Sequence, residues 1–206
     1  MTMTEAWPQV AGPQNRGAIL TAAAALAGAD GRAGPSASTL AMALGRGWDG
    51  PAGSTGPGAR QELQLAVMTE AGRIFDTEVV QPALAAPAGL AQLAAVCEAF
   101  FGHLERHACP GGCFMASAAL EMGPRAGTVR DMITAMQAQF GELIRGFAAV
   151  AVARGELPGE DPGQLAFELN GIMLAADTNF VQHEDPAVLD LARQIVRQRL
   201  GVASPS

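Results

Sequence analysis

The sequence predicts an all-α protein, and three observations carry that prediction. Hydrophobic residues make up 49% of the 206-residue chain, mainly as Ala, Leu, Val, Met and Phe, with no Tyr; such a composition, with few β-branched runs, favours helix. Apolar positions recur with a period near 3.6 in several stretches. Two Asp-Pro pairs, Asp161-Pro162 and Asp185-Pro186, stand directly ahead of apolar stretches, where an Asp cap followed by Pro at the first helical position opens a helix.

Taken in order, residues 1–15 read as a disordered tail containing Pro8 and Pro13. Ile19, Leu20, Ala23, Leu26 and Ala27 form a first helical stripe, broken by Gly31–Pro35. Ser36 can cap a short second helix through Leu40, Ala41 and Leu44, with Gly45 as its stop. A long helix resumes near Gln61, with Leu63, Val67 and Ile74 on one face, and ends around Pro82. Pro87 can start the next helix, which runs to about His107 and carries Leu93, Val96, Phe100 and Phe101. A tight Cys109-Pro-Gly-Gly-Cys113 turn and a short helix through Met122 follow. After Gly123-Pro124, the positions Val129, Met132, Ile133, Met136, Phe140, Leu143, Ile144 and Phe147 keep the helical period. The first Asp-Pro signal opens a helix through Leu165, Leu169, Ile172, Met173, Ala176 and Phe180; the second opens the last helix, to about Leu200. Both combine apolar faces with regular caps, as a dimer seam requires.

Charge bounds the function. The formal net charge is −7, and every basic residue is Arg. Residues 1–64 balance four Arg against Glu5, Asp30, Asp49 and Glu62, so no basic footprint for phosphate neutralisation is concentrated there. Met1–Gln14 lacks the basic start and apolar core of a signal peptide, and no apolar run approaches the ~20 residues of a membrane span. Three cysteines do not make a disulfide scaffold, so a reducing cytoplasm is the expected compartment.

The motifs Pro110-Gly-Gly-Cys-Phe114 with Glu121, Gly155-Glu-Leu157, Asp161-Pro-Gly-Gln-Leu-Ala-Phe-Glu-Leu169 and Asp185-Pro186 resemble the ligand-binding and dimerisation half of the TetR/AcrR family of ligand-responsive repressors. Leu40-Ala41-Met-Ala-Leu44-Gly45 resembles the family's second helix. The resemblance covers roughly residues 16–200. It implies a TetR-like homodimer whose last two helices form an intersubunit four-helix bundle. It also implies a degenerate helix-turn-helix region at 16–60 and a ligand-binding and dimerisation domain at 61–206.

The degenerate reading rests on residues 46–60, where the family carries its recognition helix. This stretch holds five glycines and two prolines; Gly costs roughly 1 kcal/mol and interior Pro about 3 kcal/mol relative to Ala in a helix. The family's Tyr-x-His-Phe-like cluster and phosphate-gripping Lys have no counterpart, since Gly53-Ser-Thr-Gly-Pro57 stands there. No DNA-contact residue is carried over, and sequence-specific DNA binding is not expected.

Two constellations could carry chemistry. Cys97, His103, His107, Cys109 and Cys113 fall within seventeen residues. His103 and His107 are one helical turn apart, so both imidazoles can approach one ion, and with Cys109 and Cys113 they form a mixed ligand set suited to zinc or copper. The opposing reading makes Cys113 a small buried hydrophobe and the histidines stabilisers of a helix C-terminus. The second constellation is Asn170 and Asp177, nearly eclipsed on an apolar segment with Asn179 and His183 beyond. With Phe100, Met136, Phe140, Met173 and Phe180 these would line a cavity for an apolar or mixed-polarity small molecule, with His103 or His107 as acid or base.

The leading expectation is therefore a TetR-like small-molecule-binding protein that has lost DNA reading and is repurposed as an enzyme or carrier in specialised metabolism. The alternative is a working ligand-responsive TetR-family repressor. A third reading is a module that pairs with an intact relative and silences it.

Overall fold

The computed structural model describes residues 65, 68–69, 71–106, 112–113, 116 and 127–202. The expected tail, the first two helices, the stretch 46–60 and the domain boundary at residue 60 lie outside the described residues. Their regular structure is helical, with no strand among the described residues. The chain divides into two compact units, one of residues 1–74 and 109–136, the other of residues 75–108 and 137–206.

A helical run over residues 71–85 contains a π-helical turn at Asp76–Val80 and ends in α1, Gln81–Ala85. The turn is closed by the Gln81 N–H donating to the Asp76 carbonyl, five residues back. Pro82 explains why it forms here. A proline ring inside a helix collides with the carbonyl four residues earlier, which is that of Glu78, and widening the turn relieves that collision. The helix therefore passes Pro82, where the sequence pattern ended it, and stops three residues later.

α2 spans Leu90–Glu105, α3 Thr128–Ala153, α4 Pro162–His183 and α5 Ala187–Leu200. α2 packs against the π turn, α1, α4 and α5, and α4 packs against α5. Its buried face is Leu93, Val96, Cys97, Phe100, Phe101, His103 and Leu104. The start at Leu90, rather than Pro87, has a cause in the segment after α3. Glu156 accepts the Leu90 N–H at 2.7 Å, and Gln92 reaches back to accept the Gly89 N–H at 3.3 Å. Gly89 sits at φ 103°, a conformation that strains any L side chain, and a Cβ there would also push the Glu156 carboxylate off its position, so glycine suits this turn.

α3 keeps its expected apolar period, burying Ile133, Met136, Phe140, Ile144 and Phe147, and continues to Ala153. The first Asp-Pro signal acts as the sequence requires, whereas at the second the helix starts one residue later, with Pro186 at the N-cap position. Asp161 Oδ1 accepts the Gln164 N–H at 2.7 Å with Pro162 in the first helical turn, and Asp185 Oδ1 accepts the Ala187 N–H at 2.9 Å. Gly201, at φ 66°, terminates α5.

Two arginines of α5 fix its position. Arg199 bridges Glu160 through Nη1 and Nη2 and Glu168 through Nε, tying α5 to the start of α4. Hydrogen bonding to Arg199 accordingly holds the Glu160 carboxyl below its ordinary value. Arg193 forks onto both carboxylate oxygens of Glu105 at 2.7 and 2.9 Å, bonds Glu98 at 2.9 Å, and lies over the Phe101 ring. The guanidinium is largely buried while its carboxylate partners are half in water, which limits the net value of the cluster. Replacing Arg193 by Ala is expected to cost about 1–2 kcal/mol, and Arg193→Lys should recover less than half of it because an ammonium cannot fork. Thermal melts of the two variants check this: equal melting temperatures for the wild type and Arg193→Ala would refute it.

Candidate functional site

The residues singled out on α2 and α3 meet around one ring that the sequence did not single out. Phe75 lies at the end of the α-helical stretch preceding the π turn. It packs edge-on against Phe100, Phe140 and His103, with ring centroids 6.3, 5.0 and 6.0 Å apart. Such edge-to-face pairs are favoured by the ring quadrupoles. Phe100, His103 and Phe140, all placed in the site from sequence, are thus brought together, and all are buried.

His103 is only 2% exposed and needs a polar partner. Its Nδ1 stands 2.9 Å from Glu78 Oε2. The same oxygen accepts from Arg106 Nε at 3.3 Å and Nη2 at 3.0 Å. Burial works to raise the Glu78 pKa, but hydrogen bonds from His103 and Arg106, and their charge, hold the carboxyl below its ordinary value. An ionised carboxylate only accepts, so the proton on Nδ1 belongs to His103. The imidazole is therefore committed to an internal partner on one of its two nitrogens. In the same π turn, Asp76 is buried and accepts from Gln81 Nε2 at 3.2 Å.

The other expected residues separate. Met173, Asp177 and Phe180 are buried on the inner face of α4, whereas Asn170 is exposed. Near-eclipsed positions on one helix need not share an environment when neighbouring elements cover only part of its length. Asn179 is also exposed and bonds its own helix through the Ala175 carbonyl. Met136 is buried and belongs to the other compact unit. His107 and Cys109 lie outside the described residues. Cys97 and Cys113 are buried without a disulfide, and among the described residues no three His, Cys, Asp or Glu side chains gather as metal ligands would.

Sequence reasoning missed Phe75, Glu78 and Arg106. The available signals were weak: Phe75 extends the apolar stripe of Ile74, Glu78 stands four residues before Pro82, and Arg106 follows His103 by three.

The helical fold built around this core matches known proteins. Residues 89–196 match the sequence model of the domain described as "Tetracyclin repressor-like, C-terminal domain". The chain belongs to the TetR family. A TetR transcriptional regulator from Chloroflexus aurantiacus J-10-fl superposes with a TM-score of 0.70 at 22% identity, covering 91% of this chain and 94% of that one. AibR, solved with isovaleryl coenzyme A and operator DNA, gives a TM-score of 0.60 at 17% identity, covering 90% and 97%. A protein of unknown function from Rhodococcus sp. RHA1 gives 0.60 at 18% identity, covering 96% and 99%. No curated protein matches the sequence. No helix among the described residues is long and apolar enough to cross a membrane.

These findings correct the leading expectation. The family match and the regulators among the structural neighbours favour transcriptional regulation, placed second on sequence grounds, over an enzyme or carrier that has abandoned DNA. The ordered motifs of the C-terminal half, which the family match covers, outweigh the composition of residues 46–60. Helix propensity within one segment is a weak guide to what a whole domain does.

The environment of Cys97 generates a direct test. Burial, with a smaller contribution from the charge of Glu98, pushes its thiol up to about 12, and the thiolate is the reactive form. Iodoacetamide at neutral pH should leave Cys97 unmodified in native protein and label it after denaturation, as read by peptide mass spectrometry. Rapid native labelling would show the core to be open at α2.

Proposed function

We propose that this chain is a ligand-responsive transcriptional regulator of the TetR family that works as a homodimer. The observation carrying the proposal is the match of residues 89–196 to the repressor C-terminal domain, with AibR, solved on operator DNA with an acyl coenzyme A, as support. On this reading residues 16–60 form the DNA-facing region after a tail of 1–15, and residues 61–206 form the effector-binding and dimerisation domain. The effector is an apolar or mixed-polarity small molecule received in the core around Phe75, Phe100, His103 and Phe140, with Met173, Asp177 and Phe180 contributing from α4. Gel shift with DNA from upstream of its own gene tests this. A saturable complex, released by an effector, is expected; binding that fails to discriminate this DNA from random sequence would refute the reading.

The homodimer is supported by the outer faces of α4 and α5. Phe167, Leu174 and Val181 recur every seventh residue along α4, and Leu191 and Ile195 are one turn apart on α5; all are exposed, Phe167 to 80% and Leu191 to 57%. Apolar side chains aligned on neighbouring helices are the signature of a helical seam. The double variant Phe167→Asp, Leu191→Asp should sediment as a folded monomer, because unpaired carboxylates would be buried at the seam. A variant that remains dimeric in analytical ultracentrifugation would place the interface elsewhere.

A further inference from the structure

Glu78 occupies its position in an unusual way. One oxygen, Oε2, takes three donors: His103 Nδ1, Arg106 Nε and Arg106 Nη2. The Nε–Nη2 edge of a guanidinium matches the two oxygens of a carboxylate side by side, and here it converges on one. The carboxylate also comes from a π turn, the form of helix that recurs at functional sites and holds one residue more than the α-helical path needs. Immediately before that turn stands Phe75, the ring on which Phe100, Phe140 and His103 converge. Glu78 and Arg106 are reachable from solvent, with side-chain exposures of 29% and 55%, whereas His103 is enclosed.

We propose that His103 and Arg106 are the anion-binding end of the effector site, that Glu78 is an internal stand-in for the effector's head group, and that a small organic monocarboxylate with an apolar tail displaces it. The tail lies against the Phe75, Phe100 and Phe140 rings. A single negative charge suits the site, since Arg106 is its one fixed cation among the groups holding Glu78 and the adjoining surface is aromatic, where a doubly charged phosphate would be poorly solvated. Displacement frees the Glu78 side chain to swing into solvent, while Pro82 keeps the turn itself open. That this carboxylate is the effector rests on the regulator reading; the binding step does not.

The test therefore reads binding without DNA, on the full chain, with hexanoate as the probe and hexanamide as its uncharged counterpart. In the wild type the measured affinity is lowered by the fraction of molecules in which Glu78 is away. Glu78→Ala removes the competitor, so calorimetry should show hexanoate binding about tenfold tighter or more than in the wild type. The same variant should melt at a lower temperature, recovered by hexanoate and not by hexanamide. Adding Arg106→Met should abolish both effects. Glu78→Gln, which keeps the side chain's shape, should also bind hexanoate more tightly than the wild type. A folded Glu78→Ala protein that hexanoate neither binds nor stabilises would overturn the proposal. So would equal rescue by hexanamide or by inorganic phosphate, or a Glu78→Gln variant that binds hexanoate no better than the wild type. Carboxylate binding without operator recognition would instead remove the regulator reading and leave the site standing.

Discussion

Much of the described core depends on a proline ring that cannot share space with a carbonyl oxygen. Pro82 lies within a helical run, and the group four residues before it is Glu78. The run opens into a π turn instead of breaking. Opening the turn sets the direction of Glu78, which meets the one buried imidazole among the described residues and the guanidinium at the end of α2. His103 can then be enclosed among phenylalanines with its Nδ1 hydrogen satisfied. Without that acceptor the enclosed imidazole would carry an unpaired polar group, a cost of roughly 1–3 kcal/mol.

α2 is consequently held at several points by chemistry foreign to itself. Its start is capped by Glu156 from beyond α3 and shaped by a glycine whose positive φ would strain any side chain placed there. Its end is tied to the π turn through Glu78, and its flank to α5 through the Arg193 fork. Each link joins residues far apart in sequence. An element so constrained is well placed to report a change at one end to its neighbours, since packed cores respond by shifting between discrete arrangements and not by bending.

The last two helices divide their surfaces cleanly. Their inner faces are closed by Leu165, Leu169, Met173, Leu189, Val196 and Leu200. Arg199 fixes the pair to each other through Glu160 and Glu168, so the exposed rows on α4 and α5 are presented as one rigid face. Rigidity of this kind lowers the entropy lost when a partner docks. In a helix as polar as α5, Arg193 and Arg199 are both matched with carboxylates, Arg193 on α2 and Arg199 on and just before α4.

By itself the sequence determined that the chain is helical, where the described helices lie to within a few residues, and which family it belongs to. These properties reside in local patterns: apolar period, Asp-Pro caps and short ordered motifs report on neighbouring residues in the chain. Phe100, His103 and Phe140 were legible as inward-facing core positions for the same reason, since each faces inward on its own helix. The tertiary structure decided what surrounds them. Phe75, Glu78 and Arg106 join this cluster because Pro82 forces a π turn beside the end of α2. Asn170 and Asp177 part company because other elements cover one and not the other. The start of α2 moves from Pro87 to Leu90 because its acceptors include a glutamate 66 residues away. Such pairings depend on which side chains the fold brings within 3 Å, and no local period encodes that.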